Sequence, residues 1–180
     1  PLLLRDGKGE LTCSYDIHKG ADGHLVLDIN DAGAAVRDLA VRPRSGGDDW
    51  LVVPLVAVLG AEIHWPEARA EVKAIRVKGP RALAWLDEDQ TVNWQAAIPA
   101  GTNTPPGKSK PWTAKIGSVE ILEASARVED RSFQPNIVVD VTDVALKLEN
   151  ITNDLKAPIP TTLSARVNGV GEASASGTVV

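Results

Sequence analysis

The side chains able to do chemistry are few. His18, His24 and His64 are the histidines and Cys13 is the lone cysteine. No His-x-His, Cys-x-x-Cys or His-Glu-x-x-His spacing gathers them, so the pattern does not predict a zinc site. His18 and His24 flank a turn and His64 lies between Ile63 and Trp65, positions that read as structural histidines. Asp87-Glu88-Asp89 has the carboxylate density of a cation loop but lacks its oxygen-rich continuation, and reads as a solvated hairpin turn. Asp28, Asp31, Asp38, Glu129 and Asp130 could supply paired acids for glycoside hydrolysis, but nothing in their spacing joins a chosen pair. No Gly-x-Ser-x-Gly elbow is present. Gly169-Val170-Gly171 precedes no helix, so a nucleotide loop is not expected. The expectation is a non-enzymatic chain with no cofactor and no metal.

Trp50, Trp65, Trp85, Trp94 and Trp112 carry most of the aromatic mass. They could grip sugar or an acyl chain, and near strand ends they more often plug a β core. With 19 basic against 24 acidic side chains the net charge is −5, which offers phosphates nothing and argues against nucleic acid. The chain has 180 residues and no methionine, so it is expected to begin within a longer or processed product.

The elements that must position these residues are strands. Apolar residues alternate through Leu25, Leu27 and Ile29, through Ile137, Val139 and Val141, through Val144, Leu146 and Leu148, and through Leu163, Ala165 and Val167. Asn168-Gly169 predicts a hairpin between Leu163–Val167 and Glu172–Val180. Leu51–Leu59 (LVVPLVAVL) reads as a strand covered on both faces, with Pro54 at an edge or bulge. Helical periodicity is confined to the short stretches Glu67–Lys73 and Trp94–Ala97. Residues 98–111, rich in proline and glycine, read as a linker or long loop between β subunits 1–97 and 112–180, or as a loop within one continuous domain.

Two repeats run through this pattern. Val36–Arg42 matches Val141–Lys147, and in both the alternation slips phase by one at an aspartate, Asp38 or Asp143. A slip reverses the inward face unless the backbone bulges, so a bulge is expected at both. Val72-x-x-Ile75-x-Val77 likewise matches Ile116-x-x-Val119-x-Ile121.

Val72–Ala97 (VKAIRVKGPRALAWLDEDQTVNWQAA) is a strand, a Gly-Pro break, a second strand, an acidic turn and Val-Asn-Trp. It resembles a signature of the bacterial AsmA-like envelope proteins, closest to their domain-of-unknown-function family 748. Val128-Glu129-Asp130-Arg131-Ser132 and Ala173–Val179 resemble that family's "D-R-S" and "A-x-G" elements. The family's glycine in the acidic turn is replaced here by Asp87-Glu88-Asp89-Gln90. The resemblance implies a periplasmic segment of a protein anchored in the inner membrane, with long β-sheets curled into an apolar groove. It also implies a part in envelope integrity and phospholipid transport, with phospholipid, the rest of the parent chain and other envelope proteins as partners. A protein- or glycan-binding β-sandwich module is the alternative.

The expected fold is therefore all-β: antiparallel, strongly curved or twisted sheet forming a groove or sandwich-like layer, with few or no helices. The residues expected to face lipid or core are Leu25, Leu27, Val72, Ile75, Val77, Leu83, Trp85, Trp94, Val139, Val141, Leu146 and Leu148. A filled core is the favoured reading of that face, and a lipid trough the other.

Overall fold

The computed structural model describes residues 2–97, 111–154 and 156–180; the expected linker at 98–111 falls, but for Pro111, outside them. The chain is all-β, with the strands β1 (Leu2–Lys19), β2 (Leu25–Pro43), β3 (Leu51–Trp65), β4 (Arg69–Lys78), β5 (Arg81–Leu86), β6 (Thr113–Asp130), β7 (Ile137–Thr152), β8 (Ile159–Val167) and β9 (Gly171–Val179). A single 3₁₀ turn, Asn93–Ala97, takes up the second helical stretch, whereas the first became β4 because its alternating residues pair on both sides. The hairpin at Asn168-Gly169 forms as expected, both residues having left-handed backbone (φ 49° and 70°).

All these strands belong to one sheet, ordered β1-β2-β3-β4-β6-β7-β8-β9, with β5 between β3 and β6. β4 and β5 are two halves of one strand broken at Gly79-Pro80, so the circuit β3-β4-β6-β5 is that broken strand, not a barrel. Neighbours are antiparallel except where β4 and β5 meet β6, a parallel junction that joins the strands on either side of residues 98–110. A parallel neighbour needs a long return connection, and residues 87–112 supply it. Strand addition is uninterrupted, and β1 and β9 are left as open edges among the described residues.

Several strands are two to three times the usual length of about 5–6 residues, and two lines of irregular backbone cross them. One passes through Asp38 (φ 57°), Pro54, Gly79 (φ 63°), Glu123 (φ 55°) and Asp143 (φ 52°), the last two lying in the register shifts on either side of the Ala124–Val144 pair. The other passes through Asp31 (φ 47°), Gly60 (φ 58°), Lys73, Gly117 and Asn150 (φ 55°). A left-handed residue inside a strand turns the following side chains to the opposite face. The bulges expected at Asp38 and Asp143 are thus two points on one line. Pro54 sits on that line in a central strand, not an edge, with its ring Cγ 3.4 Å from where a Gly79 β-carbon would stand.

Candidate functional site

The phase slips have one consequence: apolar residues stay on one face along the full length of the strands. Directly paired residues share a face, and the pairings string them into rungs across β2, β3, β4, β6 and β7. The rungs are Ala32–Ala61–Val72–Ile116–Ile151, Ala34–Val58–Ile75–Val119–Leu148 and Val36–Val56–Val77–Ile121–Leu146. The second sequence repeat is explained here, since the parallel junction lays Val72, Ile75 and Val77 beside Ile116, Val119 and Ile121 in register. Beyond the Asp38 line the face continues through Val41–Leu51–Ala82–Ala126–Val141 and Ala84–Val128–Val139. Beyond the Asp31 line it continues through Ile29, Leu27 and Leu25, toward the stacked pair Trp65 and Trp112, whose ring centres are 6.2 Å apart.

Among the described residues this face is not sealed as a filled core. Its large side chains are half-buried or, as at Leu25, Trp65, Trp112 and Val128, exposed, and among the described residues no large side chain is fully buried. In a two-layer sandwich the inner-facing residues would be sealed. All the described strands belong to one sheet and their closest backbone approaches follow its hydrogen-bonded neighbours, so no second sheet is present among the described residues to seal the rungs. The opposite face carries charges that alternate across the ladder, Arg76, Glu120 and Lys147 being paired in sequence. Arg76 bonds Glu120 at 2.9 Å, and the Glu149 carboxylate holds the Lys147 ammonium above its ordinary pKa.

Leu83, Trp85 and Trp94 lie away from the rungs, in a small core at one end of the sheet. Trp50 meets Trp85 edge-on at 5.3 Å and Trp94 at 5.6 Å. The Val-Asn-Trp motif has a physical reason here. β3 pairs with β5 only as far as Ala82, which leaves the next backbone groups of β5 without a strand. Asn93 stands in for one: Trp85 N–H donates to its Oδ1 (3.0 Å), and its Nδ2 donates to the Leu83 carbonyl (3.1 Å). Trp94 Nε1 donates to the same carbonyl at 2.9 Å. Because Asn93 is buried, Asn93→Ala orphans the Trp85 N–H and leaves the Leu83 carbonyl with Trp94 Nε1 as its side-chain donor, and a loss of about 2 kcal/mol is expected in urea unfolding.

The Glu-Asp-Arg-Ser element meets the same tryptophan. Arg131 lies 4.2 Å over the Trp85 ring and bonds Glu129 at 2.9 Å, while Asp130 Oδ1 accepts from Ser132 N (3.0 Å) and Oγ (2.6 Å). These residues and the Pro43–Asp48 turn border a cavity of about 500 Å³ lined by Trp50, Leu83, Trp85 and Arg131. Hydrogen bonds from Arg131 and then Arg127 hold the Glu129 carboxyl below its ordinary pKa. A depressed carboxylate stabilises the fold above its unfolded pKa and loses that contribution as pH falls through the folded value. Thermal stability should therefore decline below about pH 4, and Glu129→Gln should flatten that decline in melts across the acid range.

The acidic turn is a hairpin-like turn, in which Asp89 Oδ1 accepts from Thr91 N (3.0 Å) and Oγ1 (2.6 Å), bonds that lower the Asp89 pKa. Gln90 occupies the left-handed position (φ 65°) where the resembling family carries glycine. Cys13 is free and exposed.

Two of the histidines pair with aspartates. His18 Nδ1 lies 2.9 Å from Asp16 Oδ2, and His64 Nδ1 lies 2.6 Å from Asp28 Oδ1. Asp16, Asp28 and His64 face one another across β1, β2 and β3. The signal was present as Asp16-x-His18, two residues apart on one strand face, but its partners depend on strand register. His24 remains apart in the turn, where its N–H donates to Asp22 Oδ1 at 3.0 Å.

No family model, curated protein or solved structure matches this chain.

Proposed function

We propose that this chain is a non-catalytic wall segment of an AsmA-like envelope protein, whose apolar face receives the acyl chains of phospholipid. The observation that supports the reading is the set of apolar rungs running unbroken across five strands, whose large side chains are left unsealed among the described residues. Contiguous exposed apolar surface of that kind marks an interaction site in a protein that stays in solution. Four gaps of about 4.8 Å make the strip roughly 19 Å wide, against about 15 Å of acyl chain in one bilayer leaflet. The hydrocarbon would lie on valine, isoleucine and leucine side chains, gaining roughly 0.8 kcal/mol per methylene taken out of water. The residues carrying that contact are Val72, Ile75, Val77, Leu146 and Leu148 with Val139 and Val141, while Leu25 and Leu27 extend the strip.

The open edges at β1 and β9 fit a wall that neighbouring strands of a longer protein extend, which agrees with the proposed periplasmic setting and inner-membrane anchor. The Trp50, Trp85 and Trp94 rings are occupied with one another, which weakens the glycan-binding alternative at that end.

The test is solvent extraction of the purified chain with lipid mass spectrometry, together with titration of a fluorescent fatty acid. Phospholipid should co-purify, and Ile75→Asp, in the middle of the middle rung, should abolish probe binding. Leu59→Asp on the opposite face should leave it intact. A folded wild-type chain that carries no lipid and binds no probe would overturn the reading.

A further inference from the structure

We propose that Asp16, His18 and Asp28 form a binding site for a divalent transition metal, zinc being the ion that suits it, with His64 positioning Asp28. The site lies on the face opposite the apolar strip, near the β1–β2 turn, and stands independently of the lipid reading.

The ladder makes the site. Asp16 is directly opposite Asp28, and Asp28 is directly opposite His64. Two carboxylates facing each other across a ladder repel and destabilise the pair. The next residue along that rung, Arg69, is turned to Glu67 and Glu71 at 3.7 Å each, which leaves His18 and His64 as the partners of the two aspartates. Glu62 adds further negative charge, its Oε2 lying 3.9 Å from His64 Nε2. A dication ligated by both aspartates offsets that repulsion directly.

The donor set and spacing fit such an ion. One imidazole nitrogen and two carboxylate oxygens are ligands that zinc accepts, with solvent completing four-coordination. The ligand atoms of Asp16, His18 and Asp28 all lie within 4.8 Å of one another. Metal–ligand bonds of about 2.0–2.2 Å place tetrahedral ligands roughly 3.4 Å apart, so small side-chain rotations close the site. His18 and Asp16 are exposed, which leaves a path for the ion. His64 is well shielded and bonds Asp28 Oδ1 at 2.6 Å, leaving Oδ2 free to ligate. This is the outer partner that metal-bound carboxylates use to hold their orientation.

Zinc chloride titrated calorimetrically into the metal-free chain at neutral pH tests the site. One saturable equivalent is expected, with a rise in melting temperature. His18→Ala, a change at an exposed residue, should weaken binding at least tenfold. His64→Ala should weaken it about 10–100-fold, the usual effect of losing an outer partner, with no change in stoichiometry. His24→Ala is the control and should bind as the wild type does. Absence of saturable heat in the wild type, or unchanged affinity in a folded His18→Ala, would overturn the proposal.

Discussion

Trp50→Ala should cost about 3–5 kcal/mol, a large share of the roughly 5–15 kcal/mol that holds a domain together. Trp50 is among the few buried apolar residues of the described chain, because a single-layer sheet seals little on either side. Its ring packs edge-on against both Trp85 and Trp94, and its backbone joins two strands: Trp50 N–H donates to Val41 O (2.8 Å), and Leu83 N–H donates to Trp50 O (2.9 Å). Removing the indole opens the adjoining cavity into the cluster and takes from Trp85 and Trp94 the ring that both pack against. Urea unfolding followed by far-UV circular dichroism measures the loss. Trp65→Ala, at a residue 48% exposed, is the comparison and should cost about 1 kcal/mol or less. If the two variants prove equally stable, the cluster is not the anchor of that end.

The second large effect is expected at the parallel junction, from Gly117→Ala. A β-carbon at Gly117 would stand 2.6 Å from the Lys73 carbonyl oxygen, inside any tolerated contact, and both groups belong to backbone held in register. One methyl therefore has to push β6 from β4 at the seam joining the two sets of strands. Overpacking of this kind costs about 3 kcal/mol when neither side can yield. Gly177 on β9 has nothing within 4 Å of its would-be β-carbon, and Gly177→Ala should stay within about 0.5 kcal/mol of the wild type. The same unfolding curves report on cooperativity: a reduced denaturant slope in Gly117→Ala would mean that the strands on either side of the seam melt separately.

The two faces of the sheet divide the proposed functions. Hydrocarbon contact belongs to the rungs of valine, isoleucine and leucine, and ion binding to the Asp16–Asp28–His64 rung on the reverse. Ile75→Asp and His18→Ala should therefore be silent in each other's assay, which separates failure of one reading from failure of the other.

Periodicity settles what is local. Alternation with a repeat of two residues is a property of each strand alone, so the all-β class, the hairpin at Asn168-Gly169 and the slips at Asp38 and Asp143 were all legible in the residues. Register is not local. That Val72 lies beside Ile116, that Asp38, Pro54, Gly79, Glu123 and Asp143 share a line, and that Asp16 faces Asp28 and His64 follow from pairings between segments far apart in sequence. The same holds for the balance between core and open face. Leu83 and Val77 look alike as alternating apolar residues, but Leu83 belongs to the tryptophan cluster and Val77 to an uncovered rung. What separates them is which neighbours complete their surroundings, and that is decided only when the described strands assemble into one sheet, with no second sheet among the described residues.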